Sequence, residues 1–487
     1  MANSFYFYDL ETSGIKPRQS RVMQFAGQRT DLDLNPIGEP HNILIALTED
    51  VLPDPDAILV TGITPQHTQA EGTTEADFLQ TFHQEIAVPG TIFVGYNSVR
   101  FDDEFMRALN YRNFYDPYQW QWKDDRSRWD LLDVVRMTRA LRPEGINWPV
   151  DTEGKPTNRL ELLTAQNGLD HSHAHDALND VLATISLAQL LRSKQPKLFD
   201  YLLSVRSKQA VQQLVQTGNP FVYTSGKYHN DAQKTAVVVM IAETARKDGA
   251  LVYDLRYDPT PFANMTPAQL VEAWQWQKPE DQSPDAPRLP IKSLKYNRCP
   301  AVAPLGVIKE DTETQERLKI DMSTIQANLT KLKAIPDWPK KVLEALEIMD
   351  GAQAERFAGQ DTHVDGQIYD GFVGEGDAKT MERIRQSPPS ELSGYIDQCQ
   401  DMRLKELLPL YKARNFPRKL DPDERRQWES YRAKQLLDGG DASKLALYFK
   451  RIEELRMQPD LPTAKQYLLE DLTLYGQSLV PSDLDNE

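Results

Sequence analysis

The chain has 487 residues, of which 40% are hydrophobic and 26% are charged, and its net charge is −16 at pH 7. This length exceeds what one hydrophobic core usually serves, so we expect two to four domains. No apolar run approaches the roughly 20 residues that a membrane-spanning helix needs. Cys299 and Cys399 are the only cysteines, which excludes a disulfide framework and a cysteine-based zinc site. The first residues lack an export-signal pattern, so we expect a cytoplasmic protein with reduced, buried thiols.

The first third of the chain alternates short apolar runs with helical patterns. The strand-like runs are residues 5–10, 22–28, 43–47 and 92–96. The helical patterns are residues 75–88, 130–141, 160–167 and 177–191. This order predicts an α/β domain with a mixed sheet flanked by helices, over residues 1–194.

The pattern changes after residues 195–196. Strand-like segments follow at residues 221–224, 236–241 and 251–257, with helical insertions at 267–277 and 312–332. Beyond residue 374 the pattern is helical, with helices predicted at residues 379–385, 401–411, 421–437, 443–457 and 463–475. We therefore predict a β-rich domain over residues 196–350 and a helical domain over residues 352–480.

Two carboxylates close the first predicted strand. Asp9 and Glu11 are two residues apart, so alternation places them on one face of the sheet, roughly 7 Å apart at the backbone. Thr12, Ser13 and Gly14 then turn the chain. Both side chains can reach one cation, although a pair of solvated carboxylates at a strand end is also compatible with this motif.

Further acidic residues and a histidine occur later in the same domain. Asp102 follows the strand at residues 92–96 and stands at the start of a helix, where it is also a candidate N-cap and where Asp103 and Glu104 compete for any role. His175 and Asp180 are five residues apart at the entrance of an amphipathic helix. A solvent-facing histidine is the alternative for His175.

Together these residues predict a metal-dependent hydrolytic site. Four carboxylates offer the oxygen ligands that Mg²⁺ and Mn²⁺ prefer. Two such ions can activate water and stabilise the leaving oxygen of a phosphodiester. A neutral histidine can then take the proton from the attacking water.

The ordered set of Asp9, Glu11, Asp102, His175 and Asp180 resembles the DEDDh branch of the DnaQ-like 3′→5′ exonucleases. Longer stretches are similar to the bacterial exodeoxyribonuclease I family: FYDLETSG, TGITP, GYNSVRFDDE, YRNFYDPY, SRWDLLDVVR, ALRPEGINWP, RLELL, AHDALNDVLATI, LFDYL, YDGF and ARNFP. The resemblance implies a ribonuclease H-like exonuclease domain, an SH3-like domain and an all-helical C-terminal domain. It also implies hydrolysis of single-stranded DNA to 5′-mononucleotides, processively, in DNA repair and recombination.

The resemblance also implies a role for each residue of the set. Asp9, Glu11, Asp102 and Asp180 would hold two Mg²⁺ ions, for which Mn²⁺ can substitute, and Glu11 would also contact the substrate. His175 would be the general base. The family's partner is the acidic C-terminal tail of single-stranded DNA-binding protein, and we expect a monomer.

The negative net charge argues against a nucleic-acid partner, because phosphate binding usually requires a basic surface. Charge is local, however, and residues 97–159 contain eleven Lys or Arg against eleven Asp or Glu. Aromatic rings and cations together grip single strands by stacking and phosphate contacts. The candidates for substrate binding in this region are Arg107, Tyr118, Trp122, Arg136 and Arg159, although Tyr118 and Trp122 also fit a core and Arg136 a solvated helix face.

Three other functions are compatible with parts of the sequence. A 3′→5′ ribonuclease would use the same site, but the extension of about 300 residues beyond the first domain favours DNA. A non-catalytic binding protein would be expected to lack one of the five site residues, and none is lost. A zinc cluster of His171, His173 and His175 has no supporting cysteine or HExxH motif.

Overall fold

The computed structural model describes residues 3–169, 176–275, 287–357 and 363–480. These residues form two compact units. The first unit comprises Met1–Ser127, His171–Thr184 and Thr362–Glu487, and the second comprises Arg128–Asp170 and Ile185–Asp361. The C-terminal segment thus belongs to the same unit as most of the predicted exonuclease domain.

The strands fall into an N-terminal and a central group. The N-terminal group is β1 (Ser4–Thr12), β2 (Val22–Thr30), β3 (Pro36–Leu44), β4 (Thr91–Gly95) and β5 (Ser127–Asp130). The central group is β6 (Phe221–Thr224), β7 (Thr235–Glu243), β8 (Gly249–Asp254), β9 (Ile291–Lys295) and β10 (Ala301–Pro304).

The helices fall into three groups along the chain. The first is α1 (Pro55–Thr61), α2 (Pro65–Glu71), α3 (Glu75–Thr81), α4 (Asp102–Arg112), α5 (Leu131–Leu141), α6 (Leu160–Gln166) and α7 (Ala177–Lys194). The second is α8 (Pro196–Ser204), α9 (Lys208–Val215), α10 (Pro267–Trp274), α11 (Thr312–Arg317), α12 (Met322–Ala334) and α13 (Trp338–Phe357). The third is α14 (Glu375–Gln386), α15 (Met402–Asn415), α16 (Pro422–Leu437), α17 (Lys444–Arg456) and α18 (Thr463–Ser478).

The sheet of the first unit is mixed, as the sequence predicts. Its strands lie in the order β3-β2-β1-β4. β1 pairs antiparallel with β2 and parallel with β4. β1 and β4 are almost entirely buried, which explains their continuous apolar sequences.

The second unit contains the β-rich domain. Its sheet has the order β10-β6-β7-β8-β9, and every pairing in it is antiparallel. Val211 and Val215 of α9 pack against this sheet, in a core that includes Val238, Val252 and Leu294.

The C-terminal helices share a core with the N-terminal part of the first unit. Tyr111 and Phe114, at the end of α4, pack among Leu404, Leu407 and Tyr411 of α15. A second apolar cluster joins Ile58 of α1 to α17 and α18.

Beside these cores lies a buried group of opposite charges. Its members are Arg21, Asp50, Glu75, Arg112, Asp365 and Arg414. It contains three arginines and three carboxylates, so the charges balance.

Three sequence predictions differ from the structure. The strand predicted at residues 43–47 is displaced: β3 runs over Pro36–Leu44, so only Ile43 and Leu44 of the predicted range lie in it, and its mostly exposed residues lack apolar alternation. The helix predicted at 75–88 is α-helical only as far as Thr81 and continues as a π-helix at Phe82–Ile86. The helix predicted at 312–332 is two helices, interrupted at Lys319, whose φ is +55°.

Both cysteines are buried and free, as predicted. Within the described ranges, no helix is both long enough and apolar enough to cross a membrane.

Candidate active site

The two faces of β1 have different environments. Tyr6, Tyr8 and Leu10 point into the main apolar core of the first unit. Asp9 and Glu11 alternate with them and therefore lie on the opposite face. The pairing of β1 with β2 shifts register between Glu11 and Thr12, so the regular strand ends directly after the second carboxylate.

The first turn of α7 carries a third carboxylate to this face. Asp176 caps the helix, because its side chain accepts from the backbone N–H groups of Leu178 and Asn179. Asp180 follows one turn later. One carboxylate oxygen from each of Asp9, Glu11 and Asp180 lies within 4.8 Å of the others, so these three residues can share one cation.

The three acidic residues at the start of α4 have different surroundings. Asp103 is buried and accepts a short hydrogen bond from the Tyr8 hydroxyl. Glu104 pairs with Arg107 at 2.8 Å. Asp102 is the first helical residue rather than the N-cap, and its negative charge acts on Asp9. Asp102 is thus close enough to influence Asp9, but it is not among the three residues whose oxygens lie within 4.8 Å of one another, so its role as a ligand stays a prediction.

The carboxylates repel one another strongly when no cation is present. Burial, followed by the charges of Asp102 and Asp180, raises the pKa of Asp9 well above its usual value. Burial, followed by the charges of Asp9, Asp180 and Asp176, raises the pKa of Glu11 to about 9. Groups that resist ionisation and offer only oxygen ligands fit a hard divalent cation.

The general base predicted from the sequence, His175, lies outside the described residues, as do His171 and His173. Its role therefore stays a prediction. The described residue nearest to it along the chain is Asp176, which begins the helix that carries Asp180.

The substrate-binding candidates of the first unit differ in exposure. Trp122 is 62% exposed and therefore is not a core residue; the buried tryptophan of this segment is Trp120. Tyr118 is half-buried, and the Arg107 guanidinium lies 5.5 Å from its ring centroid. Arg107 is itself buried and donates to Glu104 and Gln121. Its guanidinium is therefore held in place and packs against the buried side of the Tyr118 ring.

The other two candidates belong to the second unit. Arg136 is mostly buried and pairs with Asp133 at 2.6 Å, so it does not lie on a solvated helix face. Arg159 immediately precedes α6 and is largely exposed, and its side chain pairs with Glu161 at 2.6 Å. Their contacts with a substrate stay predictions.

An aromatic residue of the C-terminal segment was missed by the sequence analysis. Phe372 is 91% exposed, and its ring meets the Tyr118 ring edge to face, with the centroids 6.3 Å apart. The YDGF stretch at residues 369–372 is visible in the sequence, but nothing in it indicates an exposed ring beside Tyr118.

Three family models match the chain in the order that the fold suggests. The exonuclease model matches residues 6–188, the exonuclease I SH3-like domain matches residues 206–347, and the exonuclease I C-terminal domain matches residues 362–479. Exodeoxyribonuclease I of Escherichia coli (strain K12) is 40% identical over 433 residues, which are 88% of this chain and 89% of the relative. The chain belongs to the exodeoxyribonuclease I family. Its architecture is thus an exonuclease domain followed by an SH3-like domain and a helical C-terminal domain, and it is an exonuclease.

Other members of the family are similarly close. The Haemophilus influenzae exodeoxyribonuclease I is 39% identical over 436 residues, or 89% of this chain and 90% of the relative. The exonuclease I structure from Methylocaldum szegediense is 42% identical, covers 98% of this chain and 100% of its own, and has a TM-score of 0.90.

Two solved structures of the family contain further components. The E. coli exonuclease I in complex with a dA16 oligonucleotide is 38% identical, with a TM-score of 0.91 and coverage of 98% of this chain and 100% of its own. A structure described as SSB/exonuclease I in complex with the inhibitor CFAM is 36% identical, with a TM-score of 0.86 and coverage of 99% and 100%.

The raised pKa of Glu11 gives a pH-dependent metal effect. Because the folded chain holds this proton more tightly than the unfolded chain, the associated stability is fully present below about pH 4.5 and is lost as the pH rises through about 9. A divalent cation bound by these carboxylates would offset that loss, and at high pH it would compete with fewer protons for them. We expect Mg²⁺ to raise the melting temperature more near pH 9 than near pH 6, measured by calorimetry.

The variant Glu11→Gln isolates this group. It removes the repelling charge, so the metal-free variant should melt above the metal-free wild type near pH 9 and respond less to Mg²⁺. A wild-type Mg²⁺ effect that is equal at both pH values would contradict this account.

Proposed function

We propose that this exonuclease hydrolyses single-stranded DNA from its 3′ end and releases 5′-mononucleotides. The observation that carries the proposal is the convergence of Asp9, Glu11 and Asp180 on one point. A relative that covers this fold at TM-score 0.91 holds a dA16 oligonucleotide, which supports DNA as the substrate.

The reaction is a displacement at phosphorus. Water attacks the terminal phosphodiester, the bond from phosphorus to the 3′-oxygen of the preceding nucleotide breaks, and the phosphate stays on the 5′ side of the released nucleotide. His175 would take the proton from the water. The same step repeated on the shortened strand yields mononucleotides.

The metal in this proposal is Mg²⁺, bound as two ions by Asp9, Glu11, Asp102 and Asp180. When bound, such ions lower the pKa of water and stabilise negative charge on phosphate oxygens. Glu11 would also contact the terminal nucleotide. The mutually repelling carboxylates, of which Glu11 is buried and Asp9 and Asp180 are half-buried, support this assignment, because a divalent cation compensates their charge.

The path of the strand would lead along α4 to an aromatic platform of Tyr118 and Phe372. Arg107 lies five residues after Asp102, or roughly 7.5 Å along a helix axis, and supports Tyr118. Arg403 donates to the carbonyl oxygens of Gln367 and Gly371 and so fixes the segment that carries Phe372. An exposed ring that is held in place suits base stacking. Trp122, Arg136 and Arg159 remain proposed contacts.

Removing the Phe372 ring is expected to weaken DNA binding. Phe372→Ala should raise the Kd for a single-stranded oligonucleotide by about 5- to 100-fold, because one stacked base contributes about 1–3 kcal/mol. Phe372→Trp should restore binding, and Leu474→Ala, which trims another exposed apolar side chain of the same unit, should leave it unchanged. Fluorescence anisotropy in EDTA measures each Kd; equal values for wild type and Phe372→Ala would remove Phe372 from the proposed path.

The proposed protein partner is single-stranded DNA-binding protein, through its acidic C-terminal tail. The related structure that is described as containing SSB supports the partner, and arginine-rich protein surfaces suit acidic peptides. Titration of the protein with a peptide of this tail, compared with the same peptide carrying amides in place of its acidic residues, tests the contact with the partner.

We further propose that the protein is a cytoplasmic monomer that acts in DNA repair. Its proposed domain limits are residues 1–194, 196–350 and 352–480.

Parallel digestion of matched substrates tests the proposed activity. We expect 5′-labelled single-stranded DNA to shorten in Mg²⁺ but not in EDTA, and duplex DNA and single-stranded RNA to persist. Faster loss of RNA would favour the ribonuclease alternative, and no cleavage of any substrate would favour a binding protein.

A further inference from the structure

A short 3-10 helix of the C-terminal domain, Val364–Tyr369, contacts two segments of the exonuclease domain that adjoin members of the carboxylate cluster. All the residues involved lie in the first unit. The DNA path proposed above uses this helix only through the Gln367 carbonyl oxygen, which accepts from Arg403.

One set of contacts reaches the loop that follows Glu11. Asp365 accepts from the Arg21 guanidinium at 2.7 Å, and both side chains are buried. Arg21 is joined to Ser13 by two 2.8 Å hydrogen bonds, one from its backbone N–H to the Ser13 hydroxyl and one from the Ser13 N–H to its carbonyl oxygen. Ser13 is two residues from Glu11, so the base of this loop is tied to the C-terminal domain.

The other set of contacts reaches the start of α4. The Tyr369 hydroxyl donates a short hydrogen bond to Glu104, which is two residues from Asp102. Arg18, from the loop after Glu11, lies 5.0 Å from the Tyr369 ring centroid and donates to the Gly366 carbonyl oxygen. Tyr369 therefore touches residues adjacent to both carboxylate-bearing segments.

Cation binding requires the carboxylates of β1 and α4 to ionise close together, and their like charges then repel each other. A tie between the two backbone segments opposes their separation and keeps the ligands pre-organised. We propose that Tyr369 and Asp365 of the C-terminal domain are positioning residues that hold Glu11 and Asp102 in place for cation binding.

This inference rests on the proposed metal ligands, and Tyr369→Phe tests it. The variant keeps the aromatic ring beside Arg18 and removes only the hydroxyl, which donates a hydrogen bond to Glu104. We expect its Kd for Mn²⁺ to rise about 3- to 30-fold. Loss of a residue that orients a metal ligand directly typically weakens metal binding about 10- to 100-fold, and Tyr369 acts one step further away. The melting temperature without metal and the KM for DNA at saturating metal should match the wild type.

The matched control is Tyr448→Phe, which also removes one tyrosine hydroxyl from the first unit. The Tyr448 hydroxyl donates to the Leu472 carbonyl oxygen at 2.8 Å, a contact between α17 and α18. Mn²⁺ binding to the full chain is measured from the electron paramagnetic resonance signal of the free ion, which gives a readout besides activity. Unchanged binding in Tyr369→Phe, or equal weakening in Tyr448→Phe, would overturn the inference.

The same titration separates this inference from the proposed metal site. If the wild type binds no Mn²⁺, or if Asp180→Asn binds it as tightly as the wild type, the proposed ligands are wrong. If Asp180→Asn loses binding while Tyr369→Phe retains wild-type binding, only the positioning role is wrong.

Discussion

Asp180→Asn is expected to lower kcat for single-stranded DNA by at least about 10³-fold in Mg²⁺, because metal binding supplies several kcal/mol of transition-state stabilisation and each 1.4 kcal/mol is tenfold in rate. One carboxylate oxygen of Asp180 lies within 4.8 Å of an oxygen of Asp9 and of Glu11. Its loss would therefore remove a proposed metal ligand that the other two residues do not replace. The amide preserves the size of the side chain, and α7 keeps its Asp176 cap.

The DNA affinity of this variant should not fall with its rate. The substitution removes a negative charge near the phosphates, so the Kd in EDTA should equal the wild-type Kd or fall below it. The control is Asp200→Asn, which changes an exposed aspartate of α8 and should keep full activity. Rates come from single-turnover digestion; an Asp180→Asn rate within tenfold of the wild type would contradict the proposed role.

The second large effect is expected on stability, from Arg414→Met. The Arg414 side chain is 2% exposed and donates to both Asp50 and Asp365, at distances between 2.7 and 3.1 Å. With methionine at this position, the two buried carboxylates would have to share Arg21. Breaking a buried ion pair in this way costs about 3–5 kcal/mol, which we expect as a lower free energy of unfolding for the first unit in urea.

The loss of stability in Arg414→Met should depend on pH, because Asp50 and Asp365 are ionised in the folded wild type. The pKa of Asp50 and that of Asp365 are lowered: burial opposes ionisation, but the charges of Arg414 and Arg21 outweigh it. Lowered pKa values stabilise the fold above the ordinary aspartate range, and that stability is lost as the pH falls. The difference in the free energy of unfolding between the wild type and Arg414→Met should therefore become smaller as the pH falls.

An exposed ion pair provides the comparison for Arg414. Arg451 pairs with Asp56 at 2.8 Å, but both side chains are more than two-fifths exposed. Arg451→Met should lower the free energy of unfolding far less than Arg414→Met, because solvent screens an exposed ion pair. Equal losses in the two variants would show that burial of the Arg414 group does not matter.

The sequence predicted the strands and the helix that carry the candidate site well, because their sequence signals are local. β1 and β4 are buried apolar runs, and the Asp-x-Glu spacing alone fixes a common face. α7 begins at a residue that caps it and has a continuous apolar face, so its first turn was predictable. The convergence of β1 and α7 is tertiary, so it was predicted from the shared metal-binding chemistry of their carboxylates and from the family resemblance, not from any local pattern.

Other features depend on partners that are distant in sequence. β3 is an exposed edge strand without alternation, so it was misplaced. Asp103 and Glu104 became distinguishable from Asp102 only through Tyr8 and Arg107. The buried pairing of Arg21 with Asp365 spans 344 residues, and no sequence pattern indicates it.

The most direct test of the proposed activity is digestion of one single-stranded DNA labelled in separate samples at the 5′ and the 3′ end. In Mg²⁺ we expect the 5′-labelled strand to give a descending ladder and the 3′-labelled strand to release labelled mononucleotide at the earliest times, with neither change in EDTA. A descending ladder from the 3′-labelled strand, or internal fragments from both, would contradict 3′→5′ exonuclease activity.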